Sequence, residues 1–207
     1  MNILILGGAR SGKSSLAENI SRHQEVETGG GVIYLATARA GDEEMEDRIA
    51  AHKERRPDSW VTIEEELYPG RQLKFYLERQ NSSRAKPGIV MLDCLTLLVS
   101  NHIIAQEDKN QQADKNQEKQ IFQEIMAELE KIAGLAGEFN LDLIFVSNEV
   151  GMGVVPPSRL GRLFRDISGR INREVENMCE KSYFMLAGRP VDIDKIAVSP
   201  LEEDWPL

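Results

Sequence analysis

Apolar positions along this chain keep two rhythms. Runs at residues 3–6, 32–38, 89–92 and 141–146, apolar but for Thr37 and Asp142, are short and predict strands covered on both faces, as in a parallel sheet. Between them, apolar residues recur at helical spacing. Leu16, Ala17 and Ile20 follow the first run, and Met45 and Ile49 mark a helix over 42–56 that Pro57 ends. A helix is expected over 67–80, and another where 94–101 enters the core. Ile121, Ile125, Leu129 and Ile132 form one stripe over 121–139. Residues 158–181 predict one long helix or two, with Leu160, Leu163, Phe164, Ile167, Ile171 and Val175 inward. Residues 60–64 alternate as a short extended stretch, and 182–186 predict a last strand followed by a turn at 187–190. Residues 25–31 and 81–88 are polar connections, 106–120 is an exposed loop or the frayed start of a helix, and 191–207 reads as a tail. Strand and helix alternate throughout, which predicts an α/β fold with a mostly parallel sheet. The 207 residues suffice for a single domain, taken as 1–190 followed by the tail.

The first strand leads into Gly7-Gly8-Ala9-Arg10-Ser11-Gly12-Lys13-Ser14, and a helix follows. Strand, glycine loop and helix are the context of a phosphate-binding loop. Glycines allow successive N–H groups to turn toward one anion, and the helix start adds its positive dipole end. Lys13 is placed to reach β- and γ-phosphates, and the Ser14 hydroxyl to ligate Mg²⁺. The bland alternative is an ordinary strand-to-helix turn. Asp93 closes the run 89–92 and is the expected second partner of the metal.

Charge changes the picture locally rather than globally. The net charge of −9 argues against nucleic acid as a partner but not against a nucleotide. No run reaches membrane-spanning length, and the strand at the very start argues against a signal peptide. Cys94 and Cys179 form no disulfide framework or metal-ligand spacing, which suggests a reducing, cytoplasmic setting; Cys94 is read as a small core residue within an apolar strand. His52 stands among Arg48, Lys53, Arg55 and Arg56, in a helix also carrying Glu54. From the residues alone it is either a surface histidine or a nucleophile whose neutral imidazole these cations favour. Glu64 is either a strand-end carboxylate at the site or solvent-exposed. Polar residues after the strand at 141–146, with Gly151, Gly153, Pro156 and Pro157, suggest a shaped site loop. One of Arg159, Arg162, Arg165 and Arg170 is a candidate to neutralise a transferring phosphoryl group.

Taken together, these segments resemble one family closely. The phosphate loop with Ala17-Glu18, Tyr34-Leu35-Ala36-Thr37-Ala38, Arg48-Ile49 with His52, Arg56-Pro57 with Trp60, Thr62 and Glu64, and Asp93-Cys94-Leu95-Thr96 all match. So do Ser147-Asn148-Glu149-Val150-Gly151-Met152-Gly153, Phe164-Arg165-Asp166 and Gly169-Arg170 with Asn172. The chain is similar to the bifunctional adenosylcobinamide kinase / adenosylcobinamide-phosphate guanylyltransferases of cobalamin biosynthesis. The resemblance implies a RecA-like P-loop fold in three layers and a homotrimer. It implies phosphorylation of adenosylcobinamide by ATP or GTP, then transfer of GMP from GTP to adenosylcobinamide phosphate through a guanylylated His52. It also implies nucleotide contacts at Gly7 to Ser14, Ala36, Thr37, Ala38, Lys53, Glu54, Arg55, Arg56, Glu64 and Asp93. The competing readings are a monofunctional P-loop kinase of another small alcohol and a GTP-dependent regulatory switch.

Overall fold

A computed structural model describes residues 1–39, 47, 50, 53–54, 56–79, 86–107 and 116–197. In order these form β1 (Asn2–Gly7), α1 (Lys13–Thr28), β2 (Gly31–Ala36), β3 (Val61–Glu64), α2 (Pro69–Glu78) and β4 (Pro87–Asp93). Then come α3 (Leu95–Glu107), α4 (Gln117–Phe139), β5 (Asp142–Val146), α5 (Arg159–Glu176), β6 (Lys181–Leu186) and β7 (Arg189–Asp192). One sheet runs β3-β2-β4-β5-β1-β6-β7. Neighbours are parallel except β6 and β7, which are antiparallel.

The period-two alternation of strand side chains sorts the core into two layers. Leu4, Ile33, Leu35, Val90, Leu92, Leu143 and Phe145 face α2 to α5. Ile3, Ile5, Val32, Tyr34, Ile89, Met91, Ile144 and Val146 face the side that holds α1 and Trp60. Both faces of the central strands are therefore covered, which is why their sequences are continuously apolar. The stripe Ile121, Ile125, Leu129 and Ile132 is fully buried along α4. This is the expected three-layer α/β architecture. Among the described residues no helix is long and apolar enough to cross a membrane.

Several boundaries differ from expectation for local reasons. Helix α1 continues through the polar segment to Thr28, where the Gly29 N–H closes the last turn on Glu25 O at 2.9 Å. Helix α4 starts at Gln117, whose side chain donates to Glu107 at 2.8 Å. Helix α5 stops at Glu176, and Lys181 already belongs to β6. Strand β7 was not foreseen. Ala187 (φ 49°) and Gly188 (φ 80°) make the two-residue turn that folds it onto β6. Cys94 lies between β4 and α3 rather than in a strand, though it is buried as expected. Within the helix expected over 42–56, the described Asp47, Ala50, Lys53 and Glu54 are helical; His52 and Arg55 lie outside the described residues.

One contact fixes α2 on α4. A Cβ on Gly70 would lie 2.8 Å from Glu128 O and 3.0 Å from Glu128 Oε2. That carboxylate is buried, and it accepts from the Arg71 N–H at the helix start at 3.1 Å and from Lys131 at 2.5 Å. Gly70→Ala is therefore expected to push α2 outward and weaken this cap. The expected loss is about 2 kcal/mol, seen as a lower urea midpoint with an unchanged slope.

Candidate active site

The parallel strands bring their carboxyl ends to one edge. Ala36 stands opposite Glu64 and Asp93, and Val146 opposite Asp93 and Ile5. The edge from β3 to β1 is about 19 Å wide at the usual strand spacing. Along it lie Glu64, residues 36–38, Asp93, residues 147–149 and the glycine loop. Ligands of open α/β sheets bind at this kind of edge.

The loop's shape depends on glycine at two positions. Gly7 has φ 151°, and a Cβ there would lie 2.9 Å from Met185 O and 2.8 Å from Ser11 Oγ. Gly12 has φ 96° and immediately precedes α1. Gly8, Ala9 and Arg10 are exposed, Ser11 and Ser14 are half-buried, and Lys13 is buried. Lys13 Nζ donates to Gly8 O at 2.7 Å, so its ammonium lies inside the loop. Burial holds its pKa below the usual lysine range, with Cys94 and Asp93 acting in the opposite direction. Ser11 Oγ is buried and has no hydrogen-bond partner among the described residues. A positive end of α1, a buried ammonium and an orphaned hydroxyl together suit an anion.

Asp93 lies at the end of β4, and its Oδ2 accepts from the Tyr34 hydroxyl at 2.6 Å. The Arg56 guanidinium sits 3.5 Å over the Tyr34 ring. Burial first, and Asp93 second, push the Tyr34 hydroxyl far above its ordinary range, so it remains a donor that orients the carboxylate. Ser14 and Asp93 offer hard oxygen donors, and no group of three or more His, Cys, Asp or Glu side chains able to hold a metal occurs among the described residues. That donor set fits Mg²⁺, which takes one or two protein oxygens and completes its shell with water and phosphate.

A buried polar floor supports this edge. Thr37 Oγ1 donates to Cys94 O at 2.7 Å and accepts from the Cys94 N–H at 2.8 Å. Thr37 is thereby fully enclosed, while Ala36 is buried and Ala38 half-buried. Asn148 Nδ2 donates to Thr96 Oγ1 at 2.9 Å, Asn172 Nδ2 donates to Asn148 O at 3.1 Å, and Ser147 Oγ donates to Asn172 Oδ1 at 2.6 Å. These bonds join the start of α3, the end of β5 and α5. Burial pushes the Cys94 thiol up to about 11, so it is a packing residue rather than a nucleophile.

The remaining sequence candidates are placed as follows. Lys53 is exposed and pairs with Glu64 at 2.5 Å, which joins the described part of the 42–56 helix to β3. Glu54 is exposed. The four candidate arginines, all on α5, are each engaged within their own neighbourhood. Arg159 pairs with Glu107 and Arg170 with Glu118. Arg165 pairs with Asp166, and Arg162 donates to Pro156 O and Pro157 O. Reading the sequence missed Tyr34 as an active-site residue, because a tyrosine inside an apolar strand reads as core. The Asn148–Asn172 bridge carried no signal beyond the two short motifs that contain those residues.

Comparison with known proteins gives a consistent result. A family model described as cobinamide kinase / cobinamide phosphate guanyltransferase matches residues 3–193. The chain is 40% identical over 194 residues to the bifunctional adenosylcobalamin biosynthesis protein CobP of Pseudomonas aeruginosa, covering 93% of this chain and 97% of that protein. It is 34% identical over 196 residues to the bifunctional adenosylcobalamin biosynthesis protein CobU of Escherichia coli, covering 93% and 99%. The same identity holds over 198 residues to its counterpart in Salmonella typhimurium, again covering 93% and 99%.

Proposed function

The chain belongs to the cobinamide kinase / cobinamide phosphate guanyltransferase family, and from that premise we propose that one nucleotide-binding edge serves both of its reactions. It is a kinase and nucleotidyltransferase of cobalamin biosynthesis. In the first proposed reaction the hydroxyl of adenosylcobinamide attacks the γ-phosphorus of ATP or GTP. In the second, a nitrogen of His52 attacks the α-phosphorus of GTP, and pyrophosphate departs as the bond to the bridging oxygen breaks. The phosphate of adenosylcobinamide phosphate then displaces the histidine, giving adenosylcobinamide-GDP. Covalent capture divides one displacement into two easier ones.

The observation that carries this reading is the pairing, at one sheet edge, of the buried Lys13 within the glycine loop and the Tyr34-oriented Asp93. Lys13 and the loop N–H groups would hold the triphosphate and stabilise charge as it develops. Ser14 and Asp93 would hold Mg²⁺, which supplies Lewis-acid neutralisation of the phosphate oxygens. Tyr34 keeps the Asp93 carboxylate oriented, and Arg56 is stacked on the Tyr34 ring. The family resemblance supports His52 as nucleophile, a nucleotide contact at Arg55, a cytoplasmic location and a homotrimer.

Exposure of the protein to GTP and Mg²⁺ tests the covalent step. Mass spectrometry is expected to show one added GMP per chain, mapped to a peptide containing His52. The label should be lost in acid and stable in base. A chain that hydrolyses GTP with no adduct is instead a kinase or a switch, and the transferase half of the proposal fails.

A further inference from the structure

We propose that Glu149 is the general base of the kinase reaction, taking the proton of the acceptor hydroxyl as that oxygen attacks the γ-phosphorus. The inference deepens the kinase reading above and rests on it. The position comes first. The Glu149 N–H donates to Gly7 O at 3.1 Å, so the residue sits directly against the first glycine of the phosphate loop. Its side chain is half-buried and turned back, with Oε1 accepting from the Gly151 N–H at 2.6 Å. One carboxylate oxygen is thereby fixed, which sets the direction of the other.

Elimination among the carboxylates of the same edge comes second. Asp93 is held by Tyr34 and suits the metal. Glu64 is paired with Lys53, and Glu66 with Arg39 at 3.7 Å. Glu65 Oε1 accepts from two N–H groups, those of Leu67 and Tyr68. Asp166 is bound by Arg165 at 2.7 Å. Among the described residues, Glu65 and Glu149 are the carboxylates of this edge with no cation beside them and no tyrosine upon them, and Glu65 follows the outermost strand β3, whereas Glu149 lies against the phosphate loop. A carboxylate not already committed to a cation is free to receive a proton.

The surroundings come third. Gly151, the residue that Glu149 holds, lines a cavity of about 400 Å³ together with Arg165, Asp166, Gly169, Arg170 and Arg173. An acceptor held there would lie beside the loop that carries Glu149. The arginines are paired with Asp166, Glu118 and Glu174, and the donors each guanidinium has left suit the phosphate that the kinase leaves on the acceptor.

The step balances. The hydroxyl O–H bond breaks and its proton passes to the Glu149 carboxylate. The oxygen–γ-phosphorus bond forms, and the bond to the β–γ bridging oxygen breaks to release the nucleoside diphosphate. The chemistry also separates the two reactions. An alcohol must lose a proton to become a phosphate ester, whereas a phosphate monoester is already ionised at neutral pH and needs no base.

Glu149→Gln, which keeps the bond to Gly151, is therefore expected to lower kinase kcat by about 10³-fold. Guanylyl transfer to adenosylcobinamide phosphate supplied as substrate should stay within about threefold, by the same chemical argument. Should Glu149→Gln fold poorly, Glu149→Ala with added formate is the second variant, and formate should restore kinase turnover in a concentration-dependent way. Kinase activity of Glu149→Gln within threefold of the wild type, parallel loss of both reactions, or absence of formate rescue each overturns the proposal. The wild-type protein run alongside tests the kinase reading itself: no phosphorylation of adenosylcobinamide there would sink that reading, independently of Glu149.

Discussion

Replacing Lys13 with methionine is expected to abolish both reactions while making the nucleotide-free protein more stable. Methionine keeps the length and apolar stem of lysine and removes the charge. The ammonium is buried inside the loop with Gly8 O as its acceptor. It therefore carries a desolvation cost whenever no phosphate is present. The cause of its lowered pKa is that burial, and the sign follows. The folded protein holds this proton less tightly than the unfolded chain does. The resulting destabilisation is complete below the lowered value and fades as pH rises through it toward 10.5. Lys13→Met removes it, with an expected gain of roughly 1 kcal/mol and a melting temperature a few degrees higher. Against this stands the loss of the cation that meets the phosphates as charge develops. Both kcat/KM values should fall by at least about 10³-fold, or about 4 kcal/mol of transition-state stabilisation. Scanning calorimetry of the empty protein and steady-state assays of each reaction check the two halves. A variant that loses activity and stability together would place Lys13 among ordinary core supports.

How much of this was legible follows from the distance over which each signal acts. The phosphate loop is contiguous, so strand, glycines, Lys13 and helix could be read as one pattern. Asp93 was readable because a buried parallel strand ending in a carboxylate is itself a local pattern. Tyr34 was not, because its meaning depends on a partner 59 residues away in sequence, reached only when β2 and β4 pair. Thr37 was expected as a nucleotide contact, and the fold shows its hydroxyl committed on both sides to Cys94. Glu149 was visible only as part of a shaped loop. Its relation to Gly7 arises from β5 lying beside β1, a strand order no single segment encodes. Strand β7 escaped although the turn at 187–190 was expected, because the strand beyond it is only four residues long and contains Pro190.

His52→Asn is expected to divide the two reactions. Asparagine retains a polar side chain of similar reach and cannot form a phosphoramidate. Guanylyl transfer should fall below detection, at least about 10³-fold, because loss of a covalent nucleophile removes a whole route rather than one hydrogen bond. Kinase turnover should remain within about tenfold of the wild type, since γ-phosphoryl transfer as proposed would depend on the glycine loop, Lys13 and the metal oxygens and would not pass through an imidazole. Binding of GTP should persist for the same reason. The contrast with Lys13→Met is therefore informative: on the proposed reading Lys13 serves both transfers and His52 only one. Incubation of His52→Asn with α-labelled GTP, beside a kinase assay on adenosylcobinamide, gives the answer. Persistent labelling would move the nucleophile to another residue. Equal loss of both activities would reduce His52 to a support for the nucleotide edge, and the separation of roles between the histidine and the glycine loop would fail with it.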